Sequence, residues 1–146
     1  MKPLPHPGSN QRGVTLLEAL LGILVFSIGI LAVVGMQVVA IKTVAESKYR
    51  MDASFLANEI IGEMWANRTN LASYNYGGGT APAVLTTWVA KVNNTLPGVA
   101  ANPPTINVAA GNVVTVTIFW QHAEEASLNQ PPPPHSYTAI ASINCC

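Results

Sequence analysis

Few residues in this chain carry chemistry, and they are scattered. Glu18 is a lone carboxylate at the head of an apolar run that reaches Met36. Inside a membrane-length helix a charged side chain costs about 2.5–3.5 kcal/mol on insertion scales, so such a group is a functional candidate by default. His122 and His135 flank a polar loop and lack further ligands at metal-binding spacing. They read as exposed loop histidines, and no metal is expected. Glu124 and Glu125 are neighbours on that loop, and paired carboxylates do acid–base work only when held opposite a reacting group. Serines and acids are present without a nucleophile context, and no Gly-rich turn opens a helix after a strand. Cys145 and Cys146 are adjacent, which excludes a four-ligand zinc site. The usual Cα separation in a disulfide, about 4.4–6.8 Å, exceeds what neighbouring residues offer without strain. A strained vicinal bridge, an intermolecular bridge and two free thiols all stay open. Neither an enzyme nor a cofactor is expected.

The elements around Glu18 follow from composition. Residues 1–13 contain Pro3, Pro5, Pro7, Gly8, Ser9 and Asn10, so no stable helix is expected there. From Ala19 to Met36 there are 18 residues with no charge and Ser27 as the one polar side chain. At the helical rise this is about 27 Å, close to the hydrocarbon thickness of a bilayer. Val38–Ile41 extends it past Gln37. Lys2 and Arg12 lie on its N-terminal side, which the positive-inside rule assigns to the cytoplasm. A secretory signal would place the apolar region before its small-residue cleavage site. Here the small residue, Gly13, comes first.

Gly13-Val14-Thr15-Leu16-Leu17-Glu18 resembles the class III signal of type IV prepilins and pseudopilins. The resemblance implies cleavage by a prepilin peptidase between Gly13 and Val14, N-methylation of Val14, and a role in assembly for the Glu18 carboxylate. Among apolar helices an isolated carboxylate seeks a positive partner, and a neighbouring subunit's Val14 amine is one. The first mature residue is Val where phenylalanine is common. Many major pilins also carry a proline where this chain has Gly35, so any kink or local melting around Gly29–Gly35 would rely on glycine.

No Gly or Pro interrupts Gln37–Ile61, and the helix is expected to continue to about Trp65 or Asn67. Tyr49, Ala53, Leu56, Ile60 and Met64 form an apolar stripe at helical spacing, with Lys48, Asp52, Glu59 and Glu63 largely off it. A helix over residues 14–67 would span about 80 Å, more than a domain of this size needs. Asn70–Pro82, with Gly77-Gly78-Gly79, reads as a loop. Leu85, Trp88, Val89, Val92 and Leu96 mark one face of a short helix stopped by Pro97-Gly98. Thr105–Ala109 reads as a strand, Ala110-Gly111-Asn112 as a tight hairpin, and Asn112–Gln121 as the strongest strand in the chain. The stretch from His122 to Ser136 reads as an exposed loop in which Pro131–Pro134 is a stiff spacer. Tyr137–Ile143 supplies a third strand.

The predicted class is α+β, with a long N-terminal helix and a small antiparallel sheet, as in type IV pilins. Four segments follow: a cleaved leader at 1–13, a transmembrane and polymerisation helix at 14–41, its periplasmic half at 42–69, and a head at 70–146. Leu56-Ala57-Asn58-Glu59-Ile60, Met64-Trp65-Ala66-Asn67, Trp88, Leu96-Pro97-Gly98 and the 114–120 strand resemble the minor pilins of the family. The resemblance implies a structural subunit that promotes pilus initiation by helix packing. Its implied partners are the prepilin peptidase, the major pilin, other minor pilins, the inner-membrane assembly platform and, before assembly, membrane lipid. It implies residence in the bacterial inner membrane with a periplasmic head, then in the pilus. A minor pseudopilin of a type II secretion system, and a tip adhesin or DNA-uptake subunit, are the alternatives. The chain has seven cations and seven anions, and loss of Lys2 and Arg12 with the leader leaves it net negative. Beyond residue 76 the only cation besides histidine is Lys91, so no basic stripe for nucleic acid exists there.

Overall fold

The computed structural model describes residues 12–144, with backbone alone for Arg12 and Gly13. The rest of the leader, and Cys145 and Cys146, lie outside the described residues. The chain divides into two compact units, Met1–Val44 and Ala45–Cys146. One helix, α1 (Arg12–Ala66), contributes to both. It starts two residues before the predicted boundary, because the prolines end at Pro7 and nothing in Arg12-Gly13 forbids helical torsions.

The described part of the first unit is helical throughout. Its most apolar stretch has a mean hydropathy of 2.6 and buries none of its length. Gly22, Gly29 and Gly35 do not break it, so helical geometry survives where a proline was absent. Ser27 Oγ donates to the Ile23 carbonyl at 2.7 Å, and Thr43 Oγ1 donates to that of Val39 at 3.1 Å. Both hydroxyls are thereby satisfied inside the helix, which lowers their cost in an apolar surrounding.

In the second unit the C-terminal part of α1 packs by one stripe. Ala53, Leu56, Ala57, Ile60 and Met64 are fully buried, and Tyr49 packs at the margin of the same cluster. Among the off-stripe charges, Lys48 pairs with Asp52 and Glu59 with Lys91. Past Asn67 the chain forms a 3-10 segment, Arg68–Tyr74, where the sequence suggested plain loop. Leu71 and Tyr74 are its buried anchors. The short helix α2 (Thr86–Thr95) buries Trp88 and Val92, and Trp88 Nε1 donates to the Leu56 carbonyl at 2.9 Å.

The sheet is an antiparallel meander, β1 (Thr105–Ala109), β2 (Val113–Trp120) and β3 (His135–Ser142), in that spatial order. Val114, Val116, Ile118 and Trp120 of β2 are buried, which is the predicted period-two face. The turn from β1 to β2 is tight because Gly111 and Asn112 both adopt positive φ, 77° and 56°. Tyr76 exchanges two 2.8 Å backbone hydrogen bonds with Ile106 and covers part of the outer edge of β1. The strand ends differ from expectation by one or two residues: β2 is one residue shorter at each end than Asn112–Gln121, and β3 begins at His135 rather than Tyr137 and ends at Ser142 rather than Ile143. The segment before β3 holds a one-turn helix, α3 (Ala123–Ala126).

Candidate functional site

Two sets of side chains have potential, one in each unit. The first is the Gly13–Glu18 motif at the head of α1. Glu18 is exposed on the helix among Val14, Leu17 and Leu21, which are 60–69% exposed. Among the described residues no hydrogen bond or ion pair reaches its carboxylate. Residues four apart share a helix face, so Val14, Glu18 and Gly22 lie along one side. A Cβ placed on Gly22 would meet nothing within 4 Å. Should the chain be cut after Gly13, Val14 would become the first residue of the helix and Glu18 would sit in its opening turns. There the free amine and the positive end of the helix dipole favour a carboxylate. The geometry offers one negative charge with no partner among the described residues, on a surface otherwise fit for lipid or other apolar helices.

The second set was not foreseen. Glu46 of α1, His122 two residues past the end of β2 and His135 at the start of β3 present ligand-type atoms within 4.8 Å of one another. The sheet register explains how. Trp120 pairs with His135 across β2 and β3, so both side chains leave the sheet on its inner face. Their rings stack at 5.9 Å with a 15° interplanar angle. Glu46 precedes Tyr49 by one turn and therefore extends the buried stripe of α1 toward this point. Trp120 Nε1 donates to Glu46 Oε2 at 3.1 Å. His122 Nε2 lies 3.4 Å from the same oxygen, and His135 Nδ1 lies 3.4 Å from Oε1. The other nitrogen of His135, Nε2, lies 3.2 Å from Glu125 Oε2.

Glu125 also accepts the His122 backbone N–H at 3.4 Å, which closes the first turn of α3. Partial burial pushes the Glu125 carboxyl up. The hydrogen bond from His135, that from the His122 backbone and the charges of both imidazoles outweigh this and hold it below its ordinary value. His122 and His135 are thus not solvated loop residues without company, and Glu125 is held opposite a histidine. The sequence contained a signal for this. Running the Tyr137–Ala139–Ala141 alternation two residues back places His135 inward, and running the α1 stripe back one turn reaches Glu46.

Gln121 anchors the strand end beside this cluster. Its backbone N–H donates to the Pro97 carbonyl at 3.0 Å, and its Nε2 donates to the Pro132 carbonyl at 3.0 Å. The Pro-rich segment is therefore tied to β2 at one of its four prolines.

Residues 8–34 match the family described as the prokaryotic N-terminal methylation motif. The match covers the Gly13–Glu18 motif and most of the apolar segment, and supports a type IV pilin-like, prepilin-processed chain anchored through this helix. No curated protein and no solved structure matches the chain.

Proposed function

We propose that this chain is a minor type IV pilin, a structural subunit that promotes pilus assembly through its N-terminal helix. The observation that carries the reading is Glu18: an exposed carboxylate, without a partner among the described residues, at the head of the apolar half of α1 and behind a prepilin-type cleavage motif. A plain membrane anchor has no use for that charge, and a secretory signal would lose the helix with its leader. In this reading a prepilin peptidase cuts Gly13–Val14, the new Val14 amine is methylated, and the apolar helix waits in the inner membrane with the head in the periplasm. Assembly then exchanges lipid for the helices of the major pilin and other minor pilins on the inner-membrane platform. Glu18 takes the Val14 amine of a neighbour as its counter-charge and so sets the register between subunits. The stalk and head segments resemble the minor pilin PilV, the pilus modification protein, and that resemblance supports reading the subunit as one that initiates filaments rather than one that forms their bulk.

The test is Glu18→Ala. The variant inserts and is cleaved normally, as read by intact mass of the membrane fraction, but is missing from sheared filaments and fails to restore piliation in a strain lacking the native chain. Normal incorporation and normal pilus number in that variant would refute the assembly role.

A further inference from the structure

We infer that Glu46, His122 and His135 form a binding site for one zinc-class divalent cation, with Glu125 orienting His135 from behind. The three ligands come from α1, the stretch just past the end of β2 and the start of β3, all within the unit Ala45–Cys146. In a tetrahedral site with metal–ligand bonds of about 2.0–2.1 Å, neighbouring ligand atoms stand roughly 3.4 Å apart. Each oxygen of the Glu46 carboxylate faces one imidazole at 3.4 Å, Oε2 to His122 Nε2 and Oε1 to His135 Nδ1. One ligand atom from each of the three residues lies within 4.8 Å of the other two, a spacing that small side-chain rotations close to a metal's ligand shell. All three side chains are about one-third exposed, which leaves a path for the ion and an open position for water.

A doubly protonated His135 would satisfy both carboxylates that flank it, and with one ring proton a cation can take the place of the second. A carboxylate only accepts hydrogen bonds, and a neutral imidazole has one N–H. His135 stands between two carboxylates, with Glu46 facing Nδ1 and Glu125 facing Nε2. When the proton sits on Nε2 and donates to Glu125, the Nδ1 lone pair confronts a Glu46 oxygen. A cation between these two atoms turns that repulsion into two bonds. Carboxylate–histidine–metal is the arrangement by which second-sphere acids fix the tautomer of a ligand histidine. Two imidazoles and one carboxylate suit zinc and its first-row neighbours, and do not suit calcium or magnesium, which take oxygen ligands. Bound metal would pin both ends of the 122–135 segment, with its four prolines, to α1.

The experiment uses the full chain in detergent micelles, carrying Cys145→Ser and Cys146→Ser so that thiols do not compete. After chelation and exchange into metal-free buffer near neutral pH, zinc chloride is added and long-range imidazole ¹H–¹⁵N spectra are followed. The His122 and His135 nitrogens should shift and saturate at one equivalent, while His6, retained by using the unprocessed chain, serves as the internal control and stays in place. Calorimetry should give one site, weakened at least tenfold by Glu46→Gln and about 10–100-fold by Glu125→Gln. Calcium chloride should leave the spectra unchanged. Near-UV circular dichroism of the metal-free variants checks that they fold, and the unsubstituted spectra stand without them. Failure of His122 and His135 to shift, or an undiminished affinity in a folded Glu46→Gln variant, overturns the site.

Discussion

Gly98 offers a prediction whose size can be worked from two positions with similar torsions and different surroundings. Gly98 has φ 73° and Gly111 has φ 77°, both in the left-handed region that L side chains avoid. A side chain in that region costs about 1–2 kcal/mol. The environments then diverge. A Cβ on Gly111 would meet nothing within 4 Å, whereas one on Gly98 would stand 2.7 Å from the Gln121 carbonyl oxygen and 3.1 Å from its nitrogen. Relief requires backbone to move, and the movable piece carries the 3.0 Å hydrogen bond from the Gln121 N–H to the Pro97 carbonyl. Loss of that bond adds about 0.5–1.5 kcal/mol, and more if a buried group is left unpaired. Gly111→Ala should therefore cost about 1–2 kcal/mol and Gly98→Ala about 2–4 kcal/mol. For a domain of this size each kcal/mol lowers the melting temperature by about 4–8 °C. The assay is thermal unfolding of the full chain in detergent, followed in the near-UV tryptophan bands, where buried Trp88 and Trp120 report on the head and the 14–41 stretch, with Phe26 as its aromatic residue, contributes nothing. Gly98→Ala should melt well below Gly111→Ala. Equal melting points would mean that the α2–β1 connection is not pressed against Gln121 and would refute the packing described.

Other expectations follow from single contacts. Leu56→Ala should lower head stability by about 2–5 kcal/mol in the same melt, since Leu56 is fully buried in the core. Trp88→Phe keeps most of the buried ring and removes the N–H bond to the Leu56 carbonyl, so its loss should be near 1 kcal/mol. Lys91→Met breaks the 2.7 Å pair with Glu59, whose partners are well exposed, and should change stability by less than about 1 kcal/mol, with the effect vanishing at high salt. Gly13→Asp should block processing: the intact mass then retains the leader, whereas the unsubstituted chain shows residues 14–146 plus one methyl group. Processing of that variant at the native rate would remove Gly13 from the cleavage motif.

Much of the fold was readable because it rests on periodicity. The helix end, the short helix after Leu85 and the β2 face all follow from spacing alone, with Ala66 closing α1 close to the expected residue. What failed to show was everything that depends on register between distant segments. Whether His135 is a loop residue or an inward strand residue is decided by its pairing with Trp120; the local alternation gives its side of the strand but not whether the strand reaches back that far. The same holds for Glu46. On its own it is one more charge on a solvated helix, and it acquires meaning once the Trp120 N–H reaches it across 74 residues of sequence. The Arg68–Tyr74 turn was missed for a different reason: Asn and Ser favour loops locally, and the turn exists because Leu71 and Tyr74 are drawn into the core.

The two ends of α1 answer different physical demands within one secondary structure. From Tyr49 to Met64 the apolar residues keep to one stripe, and that stripe is buried by the chain's own head. From Val14 to Ile41 they occupy every side, and large side chains there remain 47–73% exposed. A one-sided stripe specifies one permanent partner. An all-round apolar surface suits lipid, which has no preferred direction, and equally suits neighbouring helices on several sides. Such a surface has no orientation of its own, because sliding a helix by one turn exchanges one apolar contact for another at little cost. A single carboxylate removes that degeneracy: it is satisfied only where a positive group stands opposite, so one axial register is favoured over its neighbours. Glu18 is placed to do this, four residues from the amine that cleavage would create. In the proposed function it turns an apolar rod from a membrane anchor into a subunit with an address.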